Sequence, residues 1–496
     1  MELEWGKDMT VKATRLGLIE GVDRAASMSF LAIPYAAPPI GPLRWMPPAP
    51  PTAWSGTLDA TKHPNRAFQA PFPPELMPKG GIPGALSEDM LYLNVHTPAA
   101  DDKKRPVMVW IHGGGFTLGS ANDFDPISFV EHHDVVVVCI NYRLGLFGFL
   151  DLSRFGPEYD GSVSLGFQDQ IAAIRWVADN IADYGGDPAN ITICGGSAGA
   201  GAVLSLLAAP TAKGLFHKAI AISPLEISAA APDIITPCAA YMQMEEPAFF
   251  EHLKAMSGQE LYDFQANGGI GSAACVDGTI IVKSIPDAIR EQVNPVPLLV
   301  GCVLQEGNML TAAMGDNPAI FSMIEAGLVA NAGGGDAARY TAYLDRMSAG
   351  RTPADRMNQM WFDYFRAFTL RAAQGSTDGG TPAWVYTFAV PTSHEHGPTH
   401  GADVTFAFDA VGDIDEGEWR AFYQNTAENR AIAAMWSGVL VTFMRSGNPN
   451  SPALPHWPVY DAQSRSCMVL EAVPKLVDGP DSAEALAAYG LATSDA

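Results

Sequence analysis

The chain has 496 residues, with 30 Lys and Arg against 54 Asp and Glu, and a formal net charge of −24. A hydrophobic content of 48% with only 17% charged residues is enough for a packed core and excludes wholesale disorder. The acidic balance argues against a nucleic-acid partner, which requires a Lys/Arg excess on one face, and against adhesion to an anionic membrane.

The N-terminus, Met1 to Asp8, has no basic segment followed by an apolar stretch, so no signal peptide is expected and the default location is the cytoplasm. A leader removed upstream would restore secretion. No run approaches the ~18 apolar residues of a membrane span. Six cysteines with no CxxC spacing exclude a disulfide scaffold and a zinc knuckle. Cys139 and Cys194 sit in β-branched runs and read as buried free thiols.

Residues 34–54 are rich in proline, but interleaved Tyr35, Leu43, Trp45 and Trp54 point to an irregular segment packed on a core. A second Pro/Gly-rich loop, residues 71–84, precedes Ser87-Glu88-Asp89 and suits a functional rim. From residue 91 strands alternate with helices. Residues 91–95, 106–111, 135–140 and 190–194 read as strands, followed later by 296–300 and 384–388. Residues 167–181 carry apolar side chains at helical spacing, and 198–209 form a helix of small residues. This alternation predicts an α/β class with a mostly parallel sheet covered on both faces. Residues 310–375 carry helical periodicity and an aromatic stretch, Trp361-Phe362-Asp363-Tyr364-Phe365, and read as a helical insertion over the sheet.

Two glycine-rich turns carry chemistry. Gly195-Gly196-Ser197-Ala198-Gly199 is a G-x-S-x-G motif placed between a strand and an apolar helix. A Ser at such a sharp turn sits in strained backbone, so its neighbours must be small, and its hydroxyl is presented at the helix N-terminus. Upstream, His112-Gly113-Gly114-Gly115-Phe116 follows a strand and has the HGGG form of an oxyanion loop, in which bare backbone N–H groups can approach a ligand.

With these motifs the chain resembles the type-B carboxylesterases, the α/β-hydrolase family of cholinesterases, bacterial p-nitrobenzyl esterases and neuroligins. The resemblance runs from near residue 18 to near residue 460 and includes Ala32-Ile33-Pro34-Tyr35-Ala36, residues 87–95, Asn141-Tyr142-Arg143-Leu144-Gly145, Gln168-Asp169-Gln170 and Gly185-Gly186-Asp187-Pro188. It implies a single catalytic domain over 1–496: an N-terminal rim to residue 90, a sheet core at about 91–309 and 381–470, and a helical insertion at about 310–380. The family acid segment is represented by residues 301–307, where Glu306 is the sole carboxylate, and the family histidine loop by His400-Gly401-Ala402-Asp403. The implied catalytic residues are therefore Ser197, Glu306 and His400, with Asp403 a competitor for the acid. The implied oxyanion donors are the amides of Gly114, Gly115 and Ala198. Phe116, Gly196 and Ser223 are expected to line the substrate pocket, and Arg44–Glu88 and Arg143–Asp169 to be structural ion pairs. No cofactor and no metal are implied; His394 and His396 beside His400 do not have a recognised ligand spacing.

The resemblance implies hydrolysis of small to medium uncharged esters through an acyl-enzyme, by a monomer or homodimer. Activity is expected to fall as pH drops through about 6 to 7, where a histidine base becomes protonated. The same machinery acting on amides or carbamates is an alternative, and a non-catalytic neuroligin-like binding protein is a third reading. The chain also departs from the family. Ala67 and Met90 stand where many relatives pair two cysteines, Gly196 replaces a glutamate, and no Trp precedes Ser87. Phe68, Phe72, Leu76 and Met77 occupy that region instead, and Pro224 alters the motif after the next strand, so a choline ester is not the expected substrate.

Overall fold

The computed structural model describes residues 9–71, 81–315, 318–332, 334, 336–392, 397–412 and 424–491. Among these, thirteen strands form one sheet. In chain order they are β1 (Met9–Thr14), β2 (Gly17–Asp23), β3 (Met28–Pro34), β4 (Thr57–Asp59), β5 (Tyr92–Thr97), β6 (Arg105–Ile111), β7 (Val136–Ile140), β8 (Gly186–Gly196), β9 (Lys218–Ile222), β10 (Leu298–Val303), β11 (Ala383–Phe388), β12 (Cys467–Leu470) and β13 (Lys475–Val477). Their spatial order is β1-β2-β3-β5-β7-β6-β8-β9-β10-β11-β12-β13, with β4 beside β2. From β7 through β12 every neighbouring pair is parallel. The pairs joining β1, β2, β3, β5 and β7, and the β12–β13 pair, are antiparallel.

Strand β6 shows why both faces need a helical layer. Val107, Val109 and Ile111 enter one apolar cluster, and Met108 and Trp110 the other, because successive side chains point to opposite faces. The first cluster includes residues of helices Leu165–Asn180, Ala198–Leu207 and Pro353–Asp378; the second includes residues of Ile127–His133, Ala402–Ala407 and Ala427–Ser446.

The central strands and helices lie within a few residues of their expected positions. The N-terminal rim adds strands that the sequence reading did not place: β1 to β4, of which β1, β2 and β3 extend the sheet antiparallel. The proline-rich segment is irregular and packed, as expected; Trp45 is buried and its Nε1 donates to the Leu146 carbonyl at 2.8 Å. Among its described residues, the region expected as a helical insertion holds four helices, Gly307–Met314, Pro318–Ala332, Ala337–Met347 and Pro353–Asp378, and short turns between them. Its longest helix lies directly on β10 and β11 and buries Phe365, Phe368 and Leu370, so this part belongs to the core layer.

All six cysteines are free, and only Cys238 is partly exposed. Ala67 and Met90 line the same small space, together with Trp45, Phe68 and the ion-paired Arg44 and Glu88. The expected ion pairs form. Arg44 binds Glu88 through Nε (2.7 Å) and Nη2 (2.5 Å), and Arg143 binds Asp169 through Nε and Nη2, both at 2.7 Å. No helix among the described residues is long and apolar enough to cross a membrane.

Candidate active site

The G-x-S-x-G turn ends β8 and opens helix Ala198–Leu207 at the carboxyl edge of the parallel strands. Ser197 has φ 57° and ψ −122°, a conformation that L-residues avoid. The turn is held by the Ser197 amide donating to the Ile222 carbonyl (2.8 Å), and by the Gly201 and Leu225 amides donating to the Ser197 carbonyl at 2.9 and 3.1 Å. The glycines are required by contact: a Cβ on Gly199 would come within 2.0 Å of the Ile111 carbonyl oxygen, and one on Gly195 within 2.5 Å of Gly199 backbone. Ser197 is partly exposed while its neighbours in the turn are buried. Ala198 begins the helix, so its amide has no carbonyl one turn earlier to bond.

The HGGG loop lies against this turn. A Cβ on Gly113 would sit 3.2 Å from Ser197 Cβ, and one on Gly114 (φ 102°) would strike the Leu118 carbonyl oxygen at 2.2 Å. His112 anchors the loop from below. It is buried, stacks on Tyr142 with centroids 4.4 Å apart, and is held to about pKa 4 because burial disfavours its charged form. Tyr142 in turn donates its hydroxyl to the His112 carbonyl at 2.9 Å.

Glu306 follows β10 and is fully buried. Its Oε2 lies 2.5 Å from His400 Nδ1. Its Oε1 accepts from the Val303 amide (2.9 Å) and the Ser223 hydroxyl (2.6 Å). Ser223, expected on the pocket wall, is therefore a partner of this carboxylate behind the site. Phe116, also expected on that wall, turns its ring into the core, edge-on to Phe149 (5.2 Å) and Phe167 (5.8 Å). Its backbone lies at φ 60°. Gly196 lies where a Cβ would meet Val404 at 3.2 Å and Trp110 at 3.5 Å, so a larger residue would displace one of them. His394 and His396, and Phe72, Leu76 and Met77, lie outside the described residues. Of the remaining histidines, His96 pairs with Ser29 (3.0 Å), His132 with Asp409 (2.8 Å) and His133 with Ser437 (2.9 Å).

The Carboxylesterase family model matches residues 8–487. The chain belongs to that family. It is a carboxylic ester hydrolase with the α/β-hydrolase fold. Among its relatives, the para-nitrobenzyl esterase of Bacillus subtilis (strain 168) is 31% identical over 495 residues, covering 95% of this chain and 97% of the relative. The liver carboxylesterase of Sus scrofa is 31% identical over 510 residues, covering 90% of this chain and 85% of the relative. The carboxylesterase EST55 of Geobacillus stearothermophilus superposes with a TM-score of 0.82 at 32% identity, over 96% of this chain and 99% of that one.

A second carboxylate stands close to the Glu306–His400 pair in this esterase. Asp403 is fully buried; its Oδ2 accepts from Tyr386 (3.0 Å), and among the described residues its Oδ1 has no hydrogen-bond partner. Burial, reinforced by the charge of Glu306, raises its pKa to about 7. The motif spacing pointed to Asp403, but not to its environment, which depends on Tyr386 from a different strand. Because the folded state holds this proton more tightly than the unfolded chain, stability declines as pH rises from about 4 to 7, and the full cost remains above 7. Asp403→Asn removes the ionisation. Its unfolding free energy relative to the parent is expected to gain about 2–3 kcal/mol between pH 5 and pH 8, read from urea melts at the two pH values. An unchanged difference would show that Asp403 does not titrate in this window.

Proposed function

We propose that this esterase works as a serine hydrolase, through Ser197, His400 and Glu306, on small to medium uncharged esters, and that the chain acts as one catalytic unit. The observation that carries this reading is the 2.5 Å contact between His400 Nδ1 and buried Glu306, at the same sheet edge as the strained Ser197 turn. With Nδ1–H directed at the carboxylate, Nε2 is the free basic atom of the ring.

In this reading Nε2 takes the Ser197 hydroxyl proton as Oγ attacks the ester carbonyl, and the carbonyl π electrons move onto oxygen. Amides of Gly114, Gly115 and Ala198 receive that negative charge, each donor contributing roughly 3 kcal/mol. The tetrahedral species collapses, the imidazolium gives its proton to the leaving alkoxide, and an alcohol departs. Water then attacks the acyl-Ser197 ester by the same route in reverse and releases the acid. Glu306 keeps the imidazole in one tautomer and offsets its positive charge, while the Val303 amide and Ser223 hydroxyl hold the Glu306 carboxyl group in place.

Gly196 in place of a carboxylate removes a negative charge next to the nucleophile, which favours uncharged over cationic substrates. An organophosphate is expected to inactivate the enzyme with one adduct, on the tryptic peptide containing Ser197. In a panel of p-nitrophenyl esters of increasing acyl length, aryl carbamates and anilides, ester turnover is expected to lead. A label elsewhere would sink the Ser197 assignment, and faster anilide or carbamate cleavage would favour the amide or carbamate alternative.

A further inference from the structure

The long helix Pro353–Asp378 is where the aromatic stretch falls, and one of its rings reaches the reacting histidine. Phe365 is 1% exposed. Its ring stacks on the His400 imidazole with centroids 4.5 Å apart and planes at 26°. One turn earlier, Trp361 stacks with Phe365 at 6.1 Å and 23°, and Tyr364 meets it edge-on at 5.2 Å. The imidazole is thus held on one edge by Glu306 and on one face by a ring that is itself packed against two other rings.

The helix bearing Phe365 is also tied to the other parts of the site. Tyr364 donates its hydroxyl to the Glu226 carbonyl at 2.9 Å, and Arg371 pairs with the Glu226 carboxylate. Glu226 follows Leu225, whose amide bonds the Ser197 carbonyl. Asn358 packs so closely on Gly307, next to Glu306, that a Cβ there would lie 2.6 Å from Asn358 Cα. Arg366, adjacent to Phe365, turns away to Asp481 through bonds of 3.0 and 2.7 Å. One rigid element therefore touches the segment beside the nucleophile, the acid turn and the histidine ring.

Building on the Ser197–His400–Glu306 reading, we infer that Phe365 is the positioning residue of the histidine: its ring face fixes the plane of the imidazole against swinging about the Glu306 bond and stabilises the imidazolium formed in each transition state. A single hydrogen bond leaves a ring free to rotate about its own bond axis, and a small angular error at Nε2 weakens proton transfer from Ser197. The quadrupole of an aromatic face attracts a cation, and the attraction is strengthened where water is excluded. Among the described residues, the charged groups facing the imidazole are Glu306 at 2.5 Å and buried Asp403, whose carboxyl feels the charge of both Glu306 and His400. The long helix contributes the uncharged Phe365 ring.

The test compares Phe365→Leu, which keeps an apolar side chain but loses the ring face, with Phe365→Tyr, which keeps the ring. The probe is p-nitrophenyl butyrate, and rates are referred to sites titrated by an organophosphate so that any misfolded fraction drops out. For Phe365→Leu, kcat is expected to fall about tenfold, with KM within about threefold of the parent. The acid limb of its kcat/KM profile is expected to move to lower pH by about half a unit, because the protonated form has lost its ring face. Phe365→Tyr is expected to restore both. A Phe365→Leu enzyme with the parent's kcat and acid limb, or one whose loss is entirely in KM, overturns the proposal. Failure of the underlying triad reading has a different signature, hydrolysis retained by Ser197→Ala, and that outcome overturns both.

Discussion

Ser197→Ala is expected to retain the fold and lose about four to six orders of magnitude in kcat on p-nitrophenyl butyrate. The magnitude follows from what the hydroxyl does in a two-step acyl transfer: without Oγ there is no acyl-enzyme, and the base at His400 has no positioned proton to take. What survives is transition-state stabilisation by the oxyanion amides and simple binding, which in such sites leaves a residual rate well above that of the ester in water. The fold should survive because Ser197 holds its turn through backbone atoms. Its amide and carbonyl make the bonds to Ile222, Gly201 and Leu225, and alanine keeps all three. The positive φ disfavours alanine as it does serine, so the strain is unchanged. Stopped assays at high enzyme concentration, with matching circular dichroism, check both parts. Turnover within tenfold of the parent would remove Ser197 from the mechanism.

Asp169→Ala is expected to cost about 3–5 kcal/mol of stability, the typical result of leaving one member of a buried ion pair alone. Asp169 is fully buried and the Arg143 side chain is 3% exposed. The carboxylate accepts three bonds, from the Arg143 amide (3.0 Å) and from its Nε and Nη2 (2.7 Å each). Removing it strands a guanidinium whose Nη1 still reaches the Met46 carbonyl at 2.8 Å. The damage extends toward the site, since Arg143 follows Tyr142, which supports His112 under the oxyanion loop through ring stacking and its hydroxyl bond. Activity and stability should therefore fall together on warming. A double variant, Arg143→Met with Asp169→Ala, is expected to recover part of the loss, because no unpaired charge remains in the core. Urea melts of the single and double variants measure this. A single variant within 1 kcal/mol of the parent would show that water reaches the stranded cation, roughly the value of an exposed pair.

The parts of the site readable along the chain were those whose physical requirement is local. Gly195, Gly199, Gly113 and Gly114 stand where backbone comes too close for a Cβ, so the two loops announce themselves as glycine patterns beside strands. Glu306 and His400 were placed by resemblance; Glu306 follows a strand that the apolar pattern also located, whereas the short helix Ala402–Ala407 after His400 was not read from the sequence. Ser223 and Phe116 differ from expectation because of their partners: the Ser223 hydroxyl bonds Glu306, and the Phe116 ring packs against Phe149 and Phe167. A motif reports that a residue is near a site, and its packing partners decide on which side of it the side chain falls. Of the antiparallel strands β1 to β3, β1 alternates apolar and polar residues, whereas β3 buries successive residues on both faces and carries no alternation of its own.

What the sequence alone determined was the class of molecule: an α/β chain with a serine turn, a glycine loop, a glutamate and a histidine in the order of an ester hydrolase, and too few basic residues for a polyanion partner. The α/β class, the two glycine-rich turns and the charge balance follow from residue type, local spacing and composition; the glutamate and the histidine follow from the family resemblance. The tertiary structure decided how those residues bear on one another. It put Ser223 and the Val303 amide on Glu306, placed Asp403 in a dry site beside it, turned Phe116 into the core, and laid Phe365 over His400. Apart from the Val303 amide, which is local to Glu306, each of these depends on side chains tens of residues apart in the chain meeting in space, and such contacts arise from packing and desolvation, which local spacing does not encode.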